Sequence, residues 1–151
     1  MSFLGPNGQI LISHRGNISG RIIDQENDPA YIQTALDQGY EVEIDVWVKE
    51  DTSGIFLGHD APEHFVKIDF VRQPGLWCHA KNFLALNNLL SLNVQCFYHS
   101  NDNYTLTSTG WIWAYPGQPG NKRSIAVMPE WYDTDVTKFG GICSDVIEKY
   151  K

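Results

Sequence analysis

Residues 28–48 read DPAYIQTALDQGYEVEIDVWV and hold a helix start, a helix stop and a strand in succession. Asp28 can cap a helix, Pro29 fits its first turn, and Gly39 is the residue type that ends one. Ile32, Ala35 and Leu36 then share one face. The run from Tyr40 to Val48 reads as a buried strand, in which Glu43 and Asp45, two positions apart, point the same way.

The same pattern extends to both sides. Gln9 to Ser13, Gly54 to Leu57, Leu76 to Ala80, Val94 to Tyr98, Trp111 to Tyr115, Ser124 to Met128 and Gly141 to Ser144 are short apolar runs set off by Gly, Pro and Asn, as buried strands with tight connections are. A second helix follows Asn82 as its cap, with Phe83, Leu86, Leu89 and Leu90 spaced by threes and fours before Asn93. Strand, helix, strand, helix is the order of a parallel sheet. Past Asn93 the connections are short and rich in Thr, Asn, Gly and Pro, so helices there are brief or missing.

The 151 residues fit a single domain, whereas a complete eight-stranded α/β barrel takes about 250. The expected fold is α/β with parallel strands and reduced outer helices, and a TIM-type (β/α) barrel fits this length only if shortened or incomplete. Absent helices would leave apolar sheet facing water, which leads to the expectation of a homodimer.

Hydrophobic residues make up 42% of the chain, aromatics 13% and charged residues 19%, the proportions of a folded globular protein. A net charge of −7 and a pI near 5.0 argue against nucleic acid as a partner, because affinity for phosphate backbones comes mainly from Lys and Arg. No stretch approaches the roughly 20 apolar residues of a membrane span, and MSFLGPNGQ has neither the basic nor the apolar part of a signal peptide. No membrane span and a cytoplasmic location are thus expected. Cys78, Cys96 and Cys143, odd in number and unpaired in spacing, read as reduced packing residues.

Ionisable residues gather where strands end. His14 and Arg15 follow the first strand, His59 and Asp60 a short third one, and His79 and Lys81 close the next. In a parallel barrel those ends share one face, which joins residues far apart in sequence. Glu43 and Asp45 would repel each other in a partly buried site, and a divalent cation offsets that cost. Oxygen-rich ligation favours Mg²⁺ or Ca²⁺ over zinc. His64 and His99 read as structural. Trp111, Trp113, Tyr115, Trp131 and Tyr132 are divided between core packing and the lining of a substrate groove, with Trp111 and Trp113 on one face of their strand.

The segments ISHRGN, ENDPAYIQTALDQGYEVEIDVW and FLGHD, taken in this order, resemble the signature of the glycerophosphodiester phosphodiesterase family. The likeness is specific over roughly the first 60 residues and fainter in LWCHAKN and GGICSDVIE. It implies a metal-dependent phosphoric diester hydrolase acting on a glycerophosphodiester or related small diester, with His14 and His59 as the acid and base pair. A neighbouring substrate hydroxyl attacking first would give a cyclic phosphate. Glu43 and Asp45 would hold Mg²⁺ or Ca²⁺, and His79 stands where the family places a third acidic ligand, a change that can favour Mn²⁺. Arg15 and Lys81 would meet the phosphate, while Glu26 and Asn27 match the family's E-N and brace the site.

Chemistry agrees with these roles, since a phosphodiester needs its charge held, its nucleophile deprotonated and its leaving oxygen protonated. Histidine suits both proton transfers at neutral pH. Two other readings stay open at this level: a non-catalytic descendant that keeps a phosphate or metal pocket, and a glycoside hydrolase pairing Glu43 with Glu130.

Overall fold

A computed structural model of the chain describes residues 4–151. Met1, Ser2 and Phe3, which the signal-peptide reading includes, lie outside the described residues. The elements are β1 (Ile10–His14), α1 (Pro29–Asp37), β2 (Glu41–Val48), β3 (Ile55–Leu57), β4 (His64–Val66), α2 (Ile68–Val71), β5 (Leu76–Ala80), α3 (Phe83–Ser91), β6 (Cys96–Phe97), β7 (Tyr104–Leu106), β8 (Ile112–Ala114), β9 (Ser124–Val127) and β10 (Gly141–Ser144). All ten strands belong to one sheet. None of the described helices is long and apolar enough to cross a membrane.

Both longer helices form where their end signals stand. Asp28 accepts from the amides of Ala30 and Tyr31 at the start of α1, and Asn82 accepts from that of Ala85 at the start of α3; such caps are worth about 1 kcal/mol each. The two C-termini share one motif. Gly39 (φ 96°) and Asn93 (φ 57°) adopt left-handed backbone, and the next amides, Tyr40 and Val94, reach back to the Ala35 and Leu89 carbonyls.

Along β2 the side chains alternate between two environments. Val42, Ile44, Val46 and Val48 pack with Ile32 and Ala35 of α1 and with Ala85 and Leu89 of α3, in the largest apolar cluster. Cys78 and Cys96 belong to that cluster and, like Cys143, are buried free thiols, as the sequence indicated. Glu43 and Asp45 point to the opposite face.

A continuous parallel path runs β6-β5-β2-β1-β10-β9-β8. Its inward residues Ile12, Trp77, Phe97, Trp113, Ile125 and Cys143 form a second core. The path curls on itself. Phe97, on the last strand at one end, stacks on Trp113, on the last strand at the other, with ring centroids 4.7 Å apart. Ser108 stitches the same gap, its amide donating to the Cys96 carbonyl and its Oγ accepting from the Cys96 amide. Trp111 and Trp113 both meet Trp77, so their shared face is the inner one.

The expectation of parallel strands throughout needs correction, because β3, β4 and β7 are antiparallel to their neighbours. Only residues 49–54 separate β2 from β3, too few for the crossover of a dozen or more residues that a parallel return requires. β3 therefore folds back along the projecting end of β2. β4 and β7, of three residues each, were missed; β7 has exposed Tyr104 and Leu106 around Thr105 and offers no apolar period. Where outer helices are trimmed, Phe139 covers Ala114 and Ala126 instead.

Candidate functional site

Register alone brings four of the expected residues together. His14 is the parallel partner of Glu43, and Asp45 that of His79, and paired residues in neighbouring strands project from the same face. Glu43 and Asp45 are fully buried. His59 arrives by another route. The β2–β3 hairpin carries the chain back until Gly58 donates to the Asp45 carbonyl, which sets His59 Nδ1 3.6 Å from Asp45 Oδ2.

Trp47 fixes that return, its indole N–H donating to the Gly58 carbonyl at 2.6 Å. Gly58 (φ 157°) allows no side chain, since a Cβ would lie 1.9 Å from the Ala61 carbonyl oxygen. Trp47→Phe, which keeps an aromatic ring and removes the donor, is expected to cost about 1 kcal/mol in urea unfolding and to move the His59 imidazole NMR signals. An unchanged His59 spectrum would show that another contact sets its position.

The two catalytic candidates are held differently. His14 Nδ1 lies 2.8 Å from Asp145 Oδ1, leaving Nε2 toward the pocket and 3.7 Å from Glu43 Oε1. Beside a carboxylate the Nδ1 position carries the proton, so Nε2 has a free lone pair. His59 has the opposite arrangement: Arg15 Nη2 donates to Nδ1 at 2.6 Å, and a neutral ring then carries its proton on Nε2. His59 is also the more open of the two, with 45% of its side chain exposed against 16% for His14.

A polar network locks the two loops behind them. Asn17, buried, donates to both Glu26 and Asp145 and accepts from the Tyr31 hydroxyl. Asn27 clamps Asp45, donating to Oδ2 and accepting from its backbone amide, both at 2.9 Å. Arg15 (φ 59°) and Asn27 (φ 65°) are left-handed although neither is glycine, and the Asn27 amide donates to the Arg15 carbonyl. Such strain persists where surrounding contacts enforce it, commonly at functional sites. Glu26 and Asn27 thus brace the site. Arg15 is placed in the pocket, but its guanidinium is already engaged by Asp45, Glu26 and His59. Lys81 lines the same pocket and has no ion pair among the described residues.

The electrostatics centre on Glu43 and Asp45. Burial, then the adjacent Asp45 charge, pushes Glu43 well above the ordinary carboxylate range. Burial would raise Asp45 too, but the facing His59 and His79 rings and the Arg15 charge outweigh it and hold Asp45 well below. Burial is likewise outweighed at Glu26, where bonds from Arg21 and Asn17 bring the pKa to about 2, and at Asp145, which His14 holds below its usual value.

Glu43, Asp45 and His79 can hold a metal ion, each offering a ligand atom within 4.8 Å of the others. Glu43 Oε1 and Asp45 Oδ1 are buried and accept no hydrogen bond, the state of oxygens that suit a cation. His79 faces them, Nδ1 lying 3.2 Å from Asp45 Oδ1 and 3.8 Å from Glu43 Oε2. Its Nε2 lies 3.4 Å from the His99 carbonyl, and donation there leaves Nδ1 free to coordinate. Phe97 and His99 flank the ring at centroid distances of 5.1 and 4.7 Å.

Glu43 and His79 line, with His14, Arg15 and His59, a pocket of about 500 Å³, and Asp45 is buried beside them. His99, read as structural, lines it and stacks on His79, while His64 on β4 pairs, among the described residues, only with Glu63. Trp113, Tyr115 and Trp131 line it as well; Tyr132 turns instead onto Gly117. Glu130 is not among the lining residues, and both its oxygens accept hydrogen bonds, from Ser144 and Tyr150. Asn17, Asp145 and Trp47 were not singled out from the sequence. Asp145 was findable by the rule that found the others, since it follows β10 directly. Comparisons with protein-family models, with curated proteins and with solved structures returned no match.

Proposed function

We propose that this chain is a metal-dependent phosphodiesterase of the glycerophosphodiester phosphodiesterase type, hydrolysing a small phosphodiester with His14 and His59 as base and acid. The curled parallel path is read as a shortened (β/α) barrel, with the reacting groups at the C-terminal ends of its strands. One observation carries the proposal: His14 and His59 line one pocket with Glu43 and His79, and Asp45, the third member of that metal-ligating group, is buried 3.2 Å from His79 Nδ1.

Glu43, Asp45 and His79 are the ligands of Mg²⁺ or Ca²⁺, with Mn²⁺ admitted by the imidazole. When bound, that ion neutralises charge on the phosphoryl oxygens. Lys81 supplies further positive charge. Arg15 acts mainly by holding Asp45 and by keeping the His59 ring beside it. His14 Nε2 takes the proton from an attacking hydroxyl, while Asp145 stabilises the imidazolium that forms. As the new O–P bond forms, the bond to the leaving oxygen breaks and that oxygen receives the Nε2 proton of a protonated His59, whose Nδ1–H faces Asp45 Oδ2 and whose ring is left neutral. If the nucleophile is a hydroxyl of the substrate, the product is a cyclic phosphate. Water opens it with the two histidines in exchanged roles.

Sugar cleavage by Glu43 and Glu130 is less well supported, because Glu130 is bound up outside the pocket. A chelator is expected to abolish cleavage of glycerophosphodiesters, with Mg²⁺ or Ca²⁺ restoring it. Chelator-resistant turnover would remove the metal from the mechanism, and binding without turnover would favour a non-catalytic descendant.

A further inference from the structure

The pocket has two dissimilar halves. β1, β2, β3 and β5 supply its ionisable half. The opposite wall, from residues after β6, β8 and β9, presents Tyr98, Tyr115 and Trp131. These aromatic residues are 52, 46 and 61% exposed, so the fold buries little of their area. Apolar faces kept in water around a concave site commonly serve a ligand.

Trp131 is exposed, yet it is rigidly mounted. It lies in a tight turn entered through Met128 in left-handed backbone (φ 45°), and its amide donates to the Met128 carbonyl. Glu130 ties that turn to the core, accepting from Ser144 Oγ at 2.7 Å and from the Tyr150 hydroxyl at 2.9 Å. Tyr132 rests against Gly117, where a Cβ would lie 3.1 Å from its ring, and this joins the turn to the one that follows Tyr115. The backbone that carries the two rings is thereby held in place before any ligand arrives, which lowers the entropic cost of stacking.

We infer that this wall is the subsite for the alcohol of the substrate, and that the alcohol carries a sugar ring. The inference rests on the phosphodiesterase reading. Ser100 and Asp102 set polar groups into the same wall. A sugar uses both features, laying its C–H face on an aromatic ring and turning its hydroxyls to a serine and a carboxylate. An acyl chain would use the aromatic faces alone and leave Ser100 and Asp102 without a role. The volume of about 500 Å³ lies within the roughly 300–1,000 Å³ of sites that enclose ligands larger than a glycerol phosphate.

The test uses glycerol phosphodiesters of glucose, of glycerol and of choline, with wild type, Trp131→Ala and Trp131→Phe. Wild type should prefer the glucose diester in kcat/KM, and Trp131→Ala should raise KM for it about tenfold more than for the glycerol diester, a change of about 1.4 kcal/mol. Trp131→Phe should recover most of that selectivity. Equal effects on all three diesters, or a preference for the choline diester, would overturn the sugar subsite. Binding is read separately from the Trp131 indole N–H NMR signal. If the glucose diester shifts that signal, the glycerol diester does not, and neither is cleaved, the subsite stands and the phosphodiesterase reading fails. If neither diester shifts it, the subsite fails.

Discussion

His14→Ala and His59→Ala are each expected to lower phosphodiester cleavage by at least about 10²-fold, the usual size of a general acid or base contribution, with the fold intact. The fold should survive because neither side chain fills the apolar core: His59 is nearly half exposed and His14 lies in the mouth of the pocket. The two losses should differ in kind. His14 is tied to Asp145, so Asp145→Asn, which weakens the hold on the Nδ1 proton, should reproduce part of the His14→Ala defect in kcat while leaving KM nearly unchanged. His59 is tied to Arg15, and Arg15→Ala should disturb both His59 and Asp45. Either histidine variant retaining near-wild-type turnover in the presence of metal, with circular dichroism unchanged, would dismiss the two-histidine mechanism.

Local physics made much of the fold legible. Asp28, Pro29 and Gly39 bound a helix by side-chain and backbone rules that act within a few residues, and the structure places the ends there. The strand after it carries its own orientation in its alternation, so Glu43 and Asp45 could be put on one face before any partner strand was known. What escaped depends on partners distant in sequence. β4 and β7 exist because a longer neighbour offers them an edge, and three residues hold no period of their own. His59 was placed in the site for an incomplete reason, since a hairpin and not a parallel strand end delivers it. Asn17, which also bonds Glu26, reaches Asp145 across a sequence separation of 128 residues, a contact that neither residue advertises. The place of His99 beside the pocket was not legible because it comes from stacking on His79, and ring stacking between adjacent strand ends leaves no trace in spacing.

Metal affinity should depend most on Asp45. The Asp45→Asn variant preserves shape, yet removes the charge that sits against Arg15 and the coordinating oxygen that accepts no hydrogen bond. Loss of a supporting partner alone typically costs 10- to 100-fold in metal affinity, so removal of a ligand charge should cost at least about 10²-fold for Mg²⁺ or Ca²⁺ measured by calorimetry. His79→Glu supplies an acidic third ligand and should tighten Mg²⁺ or Ca²⁺ binding, although it gives up the ring contacts with Phe97 and His99. Binding must also compete with a proton. Burial and the adjacent Asp45 hold the Glu43 pKa well above the usual carboxylate value, so below that pKa the ion has to displace a proton from Glu43. Affinity should accordingly rise with pH through the elevated pKa of Glu43, with protons released on binding, and level off once that carboxyl is ionised. A calorimetric titration in buffers of different ionisation enthalpy reads the released proton directly. Unchanged affinity in both Asp45→Asn and His79→Glu would place the ion elsewhere and return the buried carboxylates to a purely structural pairing with Arg15.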